Sequence, residues 1–139
     1  MSYLLDTDVL WELTGKRPDG SVLAWARSVP DSSRYLSVLT IGELRRGVEY
    51  YAPSMEKERL RLWLEHDCVH YFDQHILPVD VWVVQRWGQI NATVEYRISA
   101  IDGLLAATAL HHGLTLVTRK PQDFPIPGLL LLNPWKLEA

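Results

Sequence analysis

Short apolar runs separated by helix-period segments constrain this chain more than any other feature. The runs are Tyr3–Leu5, Tyr35–Val38, Ile76–Val79, Leu114–Thr118 and Leu129–Leu132. Each is apolar and rich in β-favouring residues, and together they read as strands buried on both faces. Parallel strands need long crossovers, and helices are their usual form. The alternation therefore predicts an α/β fold with a mainly parallel sheet of about five short strands, covered on both faces.

The intervening segments carry helix signals. Thr7–Leu13 reads as a helix that starts directly after the first strand. Lys16–Gly20 is turn chemistry, and Ser21 is the expected cap of a helix over Val22–Val29 that stops at Pro30 and Asp31. Thr40 with Glu43 three residues on reads as a capping box for a helix from Ile41 to Tyr51. Glu56–Tyr71 is a further helix, with Leu60, Trp63 and Leu64 on one face. Asp80 is the expected cap of a long helix from Val81 to about Tyr96, striped by Val84, Trp87, Ile90 and Val94. Ile101–His112 is apolar nearly all round after Asp102, which marks a buried helix, and Gly113 suits its C-cap.

Bulk properties bound the function. A length of 139 residues suits a single domain over 1–139 with a substantial core. Cys68 is the only cysteine, which excludes an internal disulfide framework and a multi-cysteine zinc site and favours a reducing, cytoplasmic home. No apolar run is long enough to span a membrane, and the first residues lack a signal pattern. The net charge of −3 argues against a protein that coats nucleic acid. It leaves open an enzyme that reaches nucleic acid through a bound metal and a small basic rim.

The acids carry the chemistry. Asp6 ends the first strand, Glu43 lies in the first turn after the second, Asp102 opens the buried helix, and Asp123 follows the fourth strand. In an open parallel sheet the loops beyond the carboxyl ends of the strands form the binding crevice, so these four acids meet at one edge. Crowded carboxylates raise one another's pKa, and a hard divalent cation such as Mg²⁺ or Mn²⁺ resolves the conflict. The role of Asp8 stays open between joining this site and capping the first helix. Thr118 ends the fourth strand at the same edge, placed to hydrogen-bond a carboxylate or a phosphate, or to end the strand and nothing more. Arg45, Arg46, Arg119 and Lys120 are the basic residues beside the acids, suited to phosphates, to a protein partner or to plain solvation.

The blocks YLLDTDVL, LSVLTIGELRRGV, IDGLLAATALHHGLTLVT and LLNPW, in that order, resemble those of the PIN domain, most closely the VapC-type (FitB-like) toxins of bacterial toxin–antitoxin pairs. The resemblance spans nearly the whole chain. It implies a three-layer α/β/α fold, a Mg²⁺-dependent ribonuclease acting on RNA such as tRNA or rRNA, a homodimer, and inhibition by a small cognate antitoxin. The family's four acidic positions fall on Asp6, Glu43, Asp102 and Asp123. Three positions depart from the pattern. Asp8 and Lys120 stand where members usually have Asn, and Gly103 stands where Ala is common.

Two other readings compete. An apolar strand followed by Asp-x-Asp also resembles the haloacid-dehalogenase phosphohydrolases, with Asp6 as nucleophile and Asp8 as acid/base, although Val9-Leu10 replaces the Gly-Thr usual there. The third is a PIN fold that has lost catalysis and serves as a binding partner. His66 and His70 have a helix spacing that can ligate zinc, but no HExxH pattern accompanies them.

Overall fold

A computed structural model describes residues 1–137. Its strands are β1 (Tyr3–Leu5), β2 (Arg34–Ser37), β3 (Ile76–Leu77), β4 (Thr115–Val117) and β5 (Leu131–Leu132). They form one sheet in the order β3-β2-β1-β4-β5, with every pair parallel. The helices are α1 (Thr7–Thr14), α2 (Gly20–Ser28), α3 (Val38–Glu49), α4 (Met55–Leu62), α5 (Val69–Phe72), α6 (Val81–Thr93) and α7 (Ala100–His112).

The pleat divides the core into two layers. Leu5, Leu36 and Val117 face one way and pack with Val9, Val22, Trp25, Leu44, Val48 and Leu64. Leu4 and Leu116 face the other way and pack with Val83, Ile90, Leu105 and Ala106. Adjacent residues of a strand point to opposite faces, so continuous apolar runs are what a sheet with helices on both sides requires. The chain lays β2 and β3 outward on one side of β1, then returns through α6 and α7 to add β4 and β5 on the other side. The switch point, where an open α/β sheet binds its ligand, therefore lies between β1 and β4.

Several local expectations shift. Helix α2 is capped by Asp19, not Ser21: the carboxylate accepts from the backbone N–H groups of Ser21 and Val22 at 2.9 and 3.1 Å. The Ser21 hydroxyl instead donates to the Pro134 carbonyl at 2.7 Å. Helix α3 starts at Val38, directly on the end of β2, and Ser37 caps it by accepting from the Leu39 N–H at 3.0 Å. The Thr40–Glu43 capping box is absent, since Thr40 already lies in the first turn, fully buried, with no partner for its hydroxyl. The expected helix over 56–71 is broken by a π-helical turn at Trp63–Cys68 between α4 and α5. Helix α6 is capped by Asp80 but ends at Thr93. Gly113 caps α7 at a φ of 66°, a left-handed conformation that glycine adopts freely.

Gly103 has a packing reason. A Cβ there would stand 3.0 Å from Cδ1 and Nε1 of Trp87, whose ring lies across the helix surface at that point. Helices α6 and α7 approach closely because α7 presents glycine to the indole.

Candidate functional site

The crevice is built from the carboxyl ends of β1, β2 and β4 and the first turns that follow them. Asp6 is its deepest acid, only 4% exposed. It occupies the N-cap of α1, where its Oδ1 accepts from the Thr7 N–H at 2.7 Å. Its Oδ2 accepts from the Thr118 hydroxyl at 2.8 Å, which ties the end of β1 to the end of β4. Burial, together with the neighbouring Asp8 charge, raises the Asp6 carboxyl from the ordinary 3.8 to about 6. Thr118, Thr7 and Lys120 oppose the rise without cancelling it.

Glu43 reaches the same crevice from α3. With the cap supplied by Ser37, its side chain is free to turn to α1, where Oε1 accepts from the Thr7 hydroxyl at 2.6 Å. Arg46 stands one turn on, with its guanidinium 3.8 Å from Glu43 Oε2. Asp6, Thr7, Asp8, Trp11, Glu43 and Lys120 line a cavity of about 290 Å³.

Asp102 and Asp123 line a second, larger cavity of about 610 Å³ with Ser99, Tyr96 and Arg97. Asp102 lies in the first turn of α7, capped by Ser99. Asp123 is exposed, in the 3₁₀ turn Pro121–Asp123 after β4. Lys120 joins the two cavities. It lines the first, and its ammonium lies 3.7 Å from Asp102 Oδ2. Partial burial works against that charge, but Asp102, Asp6, Asp123 and Asp8 together hold the lysine above its ordinary value.

Asp8 does not cap α1. It sits in the first turn of α1, which Asp6 caps. Its Oδ2 accepts from the Arg119 N–H at 3.1 Å, so it pins the loop after β4. Its Oδ1 is buried with no hydrogen-bond partner. Burial raises its carboxyl above the ordinary range, opposed by the Arg119 N–H and the Lys120 charge. Thr118 likewise holds this loop, since its Oγ1 accepts from the Lys120 N–H at 3.2 Å.

The four basic residues divide. Arg46 and Lys120 face the acids. Arg45 points away, paired with Glu49 at 3.1 Å and Glu65 at 2.9 Å, and so braces α3 against the π-helical turn. Successive helix residues diverge by about 100°, which separates the two arginines. Arg119 lies over the Trp135 ring, 5.0 Å from its centroid. Thr7 is the crevice residue that sequence reasoning missed. Its position between two acids in Asp-Thr-Asp was the available signal.

The donor set suits a hard divalent cation in its chemistry: carboxylate oxygens throughout, one of them, Asp8 Oδ1, buried and unpartnered. Among the described residues, no three His, Cys, Asp or Glu side chains stand close enough together to hold a metal as they are placed. The ammonium of Lys120 stands among them instead.

A parallel sheet with acids collected beyond its strand ends, at the switch point between β1 and β4, defines an α/β protein with an acidic binding crevice. A family model described as the PIN domain matches residues 3–124, and the chain belongs to that family. It is 37% identical over 135 residues to "Toxin FitB" of Neisseria gonorrhoeae, covering 95% of this chain and 97% of that one. It is 32% identical to "VapC ribonuclease Y4jK" of Sinorhizobium fredii, over 96% of this chain and 97% of the relative. The crystal structure of FitAcB from N. gonorrhoeae superposes with a TM-score of 0.91 at 36% identity, over 97% and 99% of the two chains. A toxin–antitoxin complex from Klebsiella pneumoniae superposes with a TM-score of 0.71 at 26% identity, over 98% and 100%. Membership of this family displaces the dehalogenase-like reading of Asp6 and Asp8.

Proposed function

We propose that this protein is a divalent-metal-dependent endoribonuclease and the toxin of a toxin–antitoxin pair. One observation carries the reading. Asp6, Asp8 and Glu43 line one cavity at the switch point of a PIN fold, Asp102 and Asp123 line a second, and Lys120 lies between the two groups. The names of its relatives, a toxin and a ribonuclease, support the same reading.

Asp6, Asp102 and Asp123 would hold Mg²⁺, with Mn²⁺ a workable substitute. When bound, such an ion supplies Lewis-acid stabilisation of charge on phosphoryl oxygens. The chain's own groups do the rest. Glu43, held at Oε1 by Thr7, orients the attacking water and accepts its proton. Water attacks phosphorus in line, the bond from phosphorus to the 3′ oxygen breaks, the leaving oxygen takes up a proton from solvent, and the products carry a 5′-phosphate and a 3′-hydroxyl. Arg46 and Lys120 meet the RNA backbone at the rim of the crevice, and Arg119 extends that rim. Asp8 and Thr118 hold the loop that carries Lys120 and Asp123.

A small cognate antitoxin is the partner, in line with the toxin–antitoxin complex that superposes on this chain. A homodimer and a cytoplasmic location complete the proposal. Among the described residues no helix is long and apolar enough to cross a membrane. The substrate class is RNA with exposed single-stranded loops, such as tRNA or rRNA.

A second reading, a PIN protein that binds without cleaving, is favoured by the lysine among the carboxylates. Mapping the ends of total bacterial RNA after incubation with the antitoxin-free protein separates the two. Discrete cuts with 5′-phosphate ends, lost in EDTA and in Asp102→Asn, are expected of the nuclease. Products ending in 2′,3′-cyclic phosphate would overturn the hydrolytic mechanism. Metal binding with no cut in any RNA would favour the binder.

A further inference from the structure

We propose that Lys120 is the resident cation of the crevice: its ammonium neutralises the acids of the metal-free protein and sets how tightly this chain binds a divalent ion. The inference rests on the metal-dependent reading above and adds a determinant to the same site.

The lysine is held in place by its backbone. Its N–H donates to Thr118 Oγ1 at 3.2 Å, and Thr118 in turn donates to Asp6 Oδ2 at 2.8 Å. The preceding N–H, of Arg119, donates to Asp8 Oδ2 at 3.1 Å. Two crevice acids therefore anchor the loop whose side chain neutralises a third, Asp102, at 3.7 Å. Pro121 follows and opens the turn that presents Asp123. The other nearby cations do not reach Asp102. Arg46 lies against Glu43 and Arg119 against Trp135. Among the described residues, Lys120 is the one cation paired with Asp102.

Its side chain is 41% exposed against 18% for Asp102. It can swing to solvent without opening the core. Neighbouring carboxylates disfavour one another's ionised form, and a positive charge beside them relieves this. A lysine and a divalent ion supply that charge in competition, because each repels the other in the same partly buried space.

The test is calorimetric titration with Mn²⁺ and Mg²⁺, together with thermal unfolding in EDTA, on wild type, Lys120→Met, Lys120→Gln and Lys120→Arg. Lys120→Met and Lys120→Gln are expected to bind Mn²⁺ about tenfold or more tightly than wild type, since a like charge a few ångströms away is removed. Both are expected to unfold at lower temperature in EDTA, and Lys120→Arg to stay near wild type in both measurements. If Lys120→Met folds only with Mn²⁺ present, that supports the proposal. Unchanged or weaker metal binding in both neutral variants overturns it while leaving the nuclease reading intact. Absence of metal binding in wild type and every variant overturns both.

Discussion

The Thr118 hydroxyl donates to Asp6 Oδ2 at 2.8 Å and closes the switch point between β1 and β4. Both residues are buried, at 0% and 4% exposure, so water is poorly placed to replace the bond. Thr118→Val keeps the shape and removes the donor, and it also takes the acceptor from the Lys120 N–H. A buried acceptor left without its donor costs about 1–3 kcal/mol. Urea unfolding in EDTA is expected to show that loss. A midpoint indistinguishable from wild type would falsify the assignment.

Asp6 makes the metal-free protein sensitive to pH. Its carboxyl rises from 3.8 to about 6 on folding, chiefly through burial. Between those values the folded state holds more protons than the unfolded state, so stability falls as pH rises. The contribution is fully present below the unfolded value and gone above about 6. Two pH units correspond to about 3 kcal/mol. The stability of wild type relative to Asp6→Asn, measured in EDTA from pH 4 to 7, is expected to decline by that order. A flat or rising difference contradicts the buried-acid account.

The Thr7 side chain positions Glu43, while only its backbone N–H takes part in the cap. Its hydroxyl donates to Glu43 Oε1 at 2.6 Å, while Asp6 caps the helix. Thr7→Val is expected to slow RNA cleavage about tenfold, about 1.4 kcal/mol of barrier, with little change in thermal stability. Equal loss of stability and activity would mark Thr7 as a structural residue only.

Gly47 makes room for Trp11. A Cβ at Gly47 would overlap Cζ2 of the indole, which also lines the crevice. Gly47→Ala is expected to destabilise by about 1–3 kcal/mol through overpacking. In a Trp11→Ala background the same change is expected to cost little, and the double-mutant cycle isolates the clash. Additive costs would locate the effect elsewhere.

Ser37 caps α3 in place of the expected Thr40. Ser37→Ala removes the cap of α3 and is expected to cost about 1 kcal/mol. Thr40 is fully buried with an unpartnered hydroxyl. Replacing a buried, unsatisfied polar group by an apolar one of the same shape is close to neutral or stabilising, by up to about 1 kcal/mol. Chemical denaturation of Ser37→Ala and Thr40→Val checks both, and a large loss in Thr40→Val would restore the capping role.

Much of the fold was legible because its signals are local. Short apolar runs buried on both faces can be read without knowing their neighbours, and so can Asp80 before α6 and Gly113 after α7. Placement of the acids followed from a topological rule about strand ends. Caps were less legible. Asp19 and Ser21, or Ser37 and Thr40, are all competent cap residues within a few positions of each other. The choice was made by where β2 ends and by what the Ser21 hydroxyl finds across the chain. The π-helical turn at Trp63–Cys68 left no pattern distinct from an ordinary helix.

The sequence by itself determined the alternation of strands and helices, the acids that close the strands, and the family to which such blocks belong. Only the tertiary structure decided how those acids are partnered. Thr7 meets Glu43 across 36 positions, Arg119 meets Asp8 across 111, and Thr118 meets Asp6 across 112. Lys120 enters the crevice because β4 is laid beside β1. Local propensity reads neighbours in the chain, whereas charge and burial act between neighbours in space. The electrostatic character of this crevice was therefore settled when the strands took their order.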